Sequence, residues 1–283
     1  MATGTLRGPD LHRVTQSGRQ AGKSGVELAA RVGYASRAVV YAVIGVLALM
    51  LAAGEGGRTT DTRGAVEEVA RQPFGSVLLV LLGVGLLAFA VWRFVQSVMD
   101  VEGKGRDGKG LVARVVLGIS GVIHASLALF AFNLLRGRGG GGGGNTRGMT
   151  AELMSKPFGQ VLVALVGVAI IGFAVHQFKQ ALKGEMLEKL SLTGLAARQR
   201  THVERISKAG VIARSVVFLL VGTFFIQAAV QADPGEAGGL GEALSALARQ
   251  PFGPLLLGLV ALGLVAYAVY QALEARYRRI ATP

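Results

Sequence analysis

The sequence predicts an all-α polytopic membrane protein: six transmembrane helices arranged as three two-helix repeats around a pseudo-threefold axis along the membrane normal, with a short outer half-helix in each repeat. Three observations predict it. The 283 residues are 51% hydrophobic and 17% charged, with mean hydropathy +0.49, which is too apolar for a soluble domain of this size. Six apolar runs approach or exceed the roughly 20 residues that a hydrocarbon core of about 30 Å requires. One five-residue stretch, Arg71-Gln72-Pro73-Phe74-Gly75, returns unchanged at Arg249 to Gly253, and as Ser155-Lys156-Pro157-Phe158-Gly159 between them.

The runs cover Arg37 to Ala53, Phe74 to Met99, Leu111 to Leu135, Phe158 to Leu182, Val211 to Val230 and Phe252 to Leu273. The first is the shortest and reads back toward Val32. They read as helices because a barrel strand needs only about 10 residues and alternates, whereas these do neither. Each helix closes its own backbone hydrogen bonds, as lipid demands. Residues 1–25, rich in Gly, Ser and Arg, are expected to form a disordered cytoplasmic tail with no signal peptide.

The repeat has three blocks in register. Sixteen residues after Pro73, Pro157 and Pro251 begin Phe89-Ala90-Val91-Trp92-Arg93, Phe173-Ala174-Val175-His176-Gln177 and Tyr267-Ala268-Val269-Tyr270-Gln271. Each odd-numbered span opens with Gly-x-x-[Ala/Ser]-Arg: Gly33 to Arg37, Gly110 to Arg114, Gly210 to Arg214. The chain thus divides into repeat 1 (26–103), repeat 2 (104–183), an amphipathic linker (184–209) and repeat 3 (210–283). Within a repeat the order is helix, short outer helix, Pro-Phe-Gly corner, returning helix. Thr62, and Asn145 or Thr146, are candidate caps of the outer helices. Proline fits the first turn of the returning helix, and the neighbouring Phe fits the membrane interface. Two spans per repeat return the chain to one side, so all copies share an orientation, and a closed ring of hairpins is the simplest packing.

These blocks resemble the bacterial membrane family catalogued as domain of unknown function twelve-oh-six. The resemblance implies a six-helix protein of the bacterial plasma membrane and supplies no activity.

Charge orients the spans. With both termini in the cytoplasm, 22 of the 30 Lys and Arg residues fall on inner segments, as the positive-inside rule predicts. The excess of +13 then lies wholly on that side, so anionic inner-leaflet lipid is its expected partner and nucleic acid is not. A homo-oligomer and an unidentified protein partner are both compatible with the sequence. Met186, Leu187, Leu190, Leu195, Val203 and Ile206 among basic residues suggest that the linker lies as amphipathic helix on the inner leaflet, or docks a partner.

Arg37, Arg114 and Arg214, with Arg93, Gln177 and Gln271, are brought by the repeat to one layer at the inner mouth. Pointing inward they would form an anion-binding ring; pointing outward they would anchor in lipid phosphate. Trp92, His176 and Tyr270, one residue earlier in each block, form either a gate or an interfacial belt. His124 lies near mid-bilayer with Ser120 one turn before it, either as a proton relay or as a neutral histidine bonding a neighbouring helix. There is no Cys, no acid within the spans as bounded above, and no catalytic or metal-binding spacing, so no enzyme, metal or cofactor is expected. Gly139 to Gly144 read as a flexible linker, because a homopolymer lacks the Lys-Ser/Thr of a phosphate loop. Two functions fit: binding or permeation of a small or anionic solute, with the arginines as selectivity element, and a structural or accessory role without a pathway.

Overall fold

The computed structural model describes the backbone of residues 8–138 and 146–282, and side chains from residue 24 on. The predicted order is present. Long helices α1 (Gly8–Ala53), α3 (Gly75–Met99), α4 (Gly108–Leu135), α6 (Gly159–Lys183), α7 (Ala197–Gln231) and α9 (Gly253–Tyr277) alternate with short α2 (Thr62–Arg71), α5 (Thr146–Met154) and α8 (Leu240–Ala248). All six long helices are long and apolar enough to cross a membrane, α1 over Ser24–Ala53, so the chain is a multi-pass membrane protein. From Gly8 the expected disordered tail is helical; residues 1–7 and the six-glycine run lie outside the described residues.

The corner differs in detail from the expectation. In each repeat the long helix starts at glycine, two residues after proline, with Phe74, Phe158 and Phe252 in the left-handed region at φ 62°, 60° and 61°. The amide of Gly75 donates to the Gln72 carbonyl (2.8 Å), and Gly159 and Gly253 repeat the bond, so proline sits second and phenylalanine third in a tight turn. A Cβ at Gly75 would lie 2.0 Å from the Ala70 carbonyl oxygen, with near-identical clashes at Gly159 and Gly253. Glycine is therefore demanded by the close return of the chain, and the three Phe rings stand more than 80% exposed. Asp61 rather than Thr62 caps α2, accepting from the Gly64 amide at 2.8 Å.

The long helices pack in the order α4–α3–α1–α9–α7–α6. The firmest contacts join different repeats, α3 on α4, α6 on α7 and α9 on α1; α1 also packs on α3 and α7 on α9 within repeats 1 and 3. Among the described residues α4 and α6 share almost no contact, so the expected closed ring is open at one seam, inside repeat 2. The glycine blocks give the reason. A Cβ at Gly33 would lie 2.6 Å from the Phe89 Cα, and one at Gly210 2.4 Å from the Tyr267 nitrogen, so in repeats 1 and 3 the two signature blocks seat directly on one another. In repeat 2, Gly110 is instead enclosed by the Lys104 and Gly105 carbonyls of its own capping loop, and Phe173 packs on Phe218 of α7.

The linker also departs from the reading of it as a leaflet-bound helix. Met186 and Leu190 are buried, Leu187 and Leu192 pack on the core, and residues from Ala197 onward are the first turns of α7. The Ser191 amide donates to the Tyr277 carbonyl (2.7 Å), and the Arg279 amide to that of Lys189 (2.9 Å), pinning the linker to the C-terminus. Those residues face protein because the backbone pairing turns them inward.

A buried arginine cluster

Arg37 and Arg214 are 6% and 8% exposed, enclosed by the bundle rather than anchored in lipid. Each reaches a tyrosine on another helix. Arg37 Nη2 donates to the Tyr267 hydroxyl (2.9 Å), and Arg214 Nε to that of Tyr41 (3.0 Å), while the two tyrosine rings pack edge to face with centroids 4.7 Å apart. The Arg214 guanidinium lies over Phe218 (4.4 Å) and Tyr267 (5.0 Å), and donates through Nη1 to Gln177 Oε1 (2.7 Å). Phe89 carries two guanidinium groups on its ring, Arg37 at 4.7 Å and Arg93 at 4.6 Å. Three cations thus share one cage of aromatic rings, each contact supplying roughly 1–2 kcal/mol where water is excluded.

No carboxylate pairs with Arg37, Arg93 or Arg214 among the described residues. Arg37 Nε and Arg93 Nε are buried without a hydrogen-bond partner, and so is Gln271 Oε1, one turn beyond Tyr267 on α9. A buried donor left unmade costs about 1–3 kcal/mol, and a buried charge more; the two Nε atoms are unmet donors of this layer, and Gln271 Oε1 is an unmet acceptor. Both tyrosine oxygens accept from arginine and retain their own O–H for donation.

The other predicted residues separate. Arg114 is not in the cluster: its Nε and Nη2 donate to the Ser97 and Val98 carbonyls (2.7 and 2.8 Å), closing the last turn of α3. The physical reason is the open seam, which leaves α3 as the one long helix against which α4 packs closely. Trp92 and Tyr270 are buried and form no lipid-facing belt, because α1 packs on both of their helices, α3 and α9; His176 is exposed. His124 stacks on Phe89 (4.6 Å) and bonds within its own helix, Nδ1 to the Ser120 carbonyl at 2.7 Å, rather than to a neighbour. A carbonyl can only accept, so Nδ1 carries the proton.

Beside the cluster stands an ion-pair network that the sequence reading did not foresee. Arg93 Nη1 donates to Gln96 (2.9 Å), and Gln96 to Glu102 Oε1 (2.7 Å). Glu102 also pairs with Arg278 (2.7 Å) and Lys189 (3.0 Å), and Arg278 with Glu274. Burial would raise the Glu102 carboxyl, but Lys189 and Arg278 outweigh it and hold the group down at about 2. Glu274 lies in the last turn of α9, which runs past the predicted end at Leu273. Tyr41 was also missed, although a signal existed: it stands four residues after Arg37 as Phe218 stands after Arg214, on the same helix face, whereas repeat 2 has Gly118 there.

A family model described as Domain of Unknown Function (DUF1206) matches the chain three times, over residues 32–100, 115–184 and 209–278. The chain is 33% identical over 264 residues to YxxB, an uncharacterised protein of Bacillus subtilis (strain 168), which covers 93% of this chain and 94% of that protein. No solved structure matches it. With its three signature blocks accounted for as two seated helix pairs, one splayed pair and three identical corners, this chain belongs to the DUF1206 family as a tandem of three units.

Proposed function

We propose that the protein is a non-catalytic anion-binding membrane protein whose ligand is held by Arg37, Arg93 and Arg214. One observation carries the reading: the buried guanidinium groups of Arg37 and Arg214 and the half-buried one of Arg93 share an aromatic cage with no carboxylate at ion-pair distance from any of them. Burying such charges is unfavourable by several kcal/mol each unless they are compensated, and cation–π contacts offset only part of that. A phosphate or carboxylate group would accept from the free Nε atoms and from the tyrosine hydroxyls. The core around the cluster interlocks Ile44, Leu86, Leu257 and Leu264 at full burial, which favours binding over a water-filled path. The charge bias of the loops supports a cytoplasmic side for both termini, with the chain in a bacterial plasma membrane.

A second reading, an accessory protein without a ligand, draws support from α4 and α6, whose apolar windows are 22% and 17% buried against 50% for α3 and so leave faces for lipid or a protein partner. Titration separates the two. Trp92 is the sole tryptophan, is buried, and neighbours Arg93 and Phe89, so its emission reports on the cluster. Inorganic phosphate or sulfate added to the detergent-purified protein is expected to give a saturable change in Trp92 emission and a rise in unfolding temperature, both lost in Arg37→Gln/Arg214→Gln. A wild-type protein indifferent to both anions would exclude the binding reading.

A further inference from the structure

The six long helices form a row whose ends, α4 and α6, do not meet. Both ends nevertheless reach the arginine cluster: His124 of α4 stacks on Phe89, and Gln177 of α6 accepts from Arg214. The two helices that border the seam therefore each carry a residue in contact with the cluster. Arg37 stands sixteen residues before the end of α1, and Arg214 seventeen before the end of α7, or about 25 Å from those helix ends at 1.5 Å per residue. In a hydrocarbon core of about 30 Å, that is close to the headgroup layer of the other leaflet. On the water side of that leaflet the cluster is flanked by the ion-paired network of Glu102, Glu274, Arg278 and Lys189. On the membrane side, α4 and α6 are the two least covered helices of the bundle.

We propose that the anion held by the cluster is the phosphate of an anionic membrane lipid, seated in the α4–α6 seam with its headgroup on Arg37 and Arg214 and its chains along the exposed apolar faces of the two helices. This rests on the anion-binding reading above and adds the source of the ligand and its route. A lipid fits where a free ion does not because the entrance lies in hydrocarbon while the unmet donors, Arg37 Nε and Arg93 Nε, lie at phosphate depth.

The test uses the full chain reconstituted in vesicles of equal phosphatidylcholine and phosphatidylglycerol, then native mass spectrometry after release into detergent. The wild type is expected to retain phosphatidylglycerol in excess over phosphatidylcholine. Retention should fall about tenfold in Arg37→Gln/Arg214→Gln and stay unchanged in Arg114→Gln. Arg37→Lys/Arg214→Lys, which keeps the charge and loses the planar fork, is expected to fall between, and guards against a folding defect in the glutamine variant. A photoreactive phosphatidylglycerol with its label in the acyl chain should mark α4 and α6 peptides in an arginine-dependent way; labelling of the α7–α9 face alone would overturn the seam placement. Equal retention by the glutamine variant would overturn the lipid assignment. If no lipid is retained while inorganic phosphate still moves Trp92 emission through Arg37 and Arg214, the anion site stands and the lipid source is wrong; if neither occurs, both fail.

Discussion

Replacing Gly33 or Gly210 by alanine tests why the Gly-x-x-x-Arg block exists. A Cβ on Gly33 would stand 2.6 Å from the Phe89 Cα and Cβ and 2.8 Å from its nitrogen; one on Gly210 would stand 2.4 Å and 2.6 Å from the Tyr267 nitrogen and Cα. Carbon atoms pack at about 3.5–4.0 Å, and the obstructing atoms are mostly backbone, so α1 and α3, or α7 and α9, must part by roughly 1 Å. Overpacking of this kind costs about 1–3 kcal/mol, of which the better helix propensity of alanine returns up to about 1. Gly172 is the matched control: it lies inside α6, and a Cβ there meets nothing within 4 Å. Gly172→Ala is therefore expected to be neutral or stabilising by up to about 1 kcal/mol, leaving a gap of about 2 kcal/mol between the two kinds of variant. Equilibrium unfolding by sodium dodecyl sulfate in mixed micelles would read it. Separation of α1 from α3 also moves the Phe89 ring that carries Arg37 and Arg93, so Gly33→Ala should weaken the anion response of Trp92 as well. Equal stability of Gly33→Ala and Gly172→Ala would refute the claim that the glycine serves helix approach.

Two further outcomes follow from contacts outside the cluster. Glu102 has its folded carboxyl held at about 2 against an ordinary 4.5, so its contribution is fully present above the ordinary value and is lost as pH falls from there toward 2; it amounts to on the order of 3 kcal/mol at most. Unfolding measured across that window should show the wild type losing more stability than Glu102→Gln, and parallel curves would refute the pairing with Lys189 and Arg278. Arg114→Ala removes both bonds to the final carbonyls of α3 and should cost about 1–2 kcal/mol, read as faster amide exchange at 97–100, with the Trp92 response to phosphate unchanged.

The sequence by itself determined the class, the six spans, the three-unit division and the corners. Those features are local: apolar runs of fixed length specify spans, and identical spacing of Pro73, Pro157 and Pro251 from their partner blocks specifies a repeat. Even the membership of Arg37, Arg93, Arg214 and Gln177 in one layer was legible, because equal offsets along helices give equal depths. Depth carries no direction, however. Whether a side chain at that depth faces lipid or neighbour depends on which helices touch, and only the tertiary structure decided this.

Repeat 2 is the clearest case. Its blocks read like the others, yet Gly110 and Phe173 do not meet, α4 and α6 stand apart, and Arg114 serves the end of α3 instead of joining Arg37 and Arg214. The tyrosines that hold the other two arginines come from distant segments, Tyr267 to Arg37 and Tyr41 to Arg214, so no local pattern could pair them. The same holds for the network joining Glu102, Lys189 and Arg278, whose members lie in the α3–α4 loop, the α6–α7 linker and the C-terminal segment. Hydrophobic periodicity and turn chemistry act within a segment; the pairing of buried charges is settled by which surfaces the assembled helices cover.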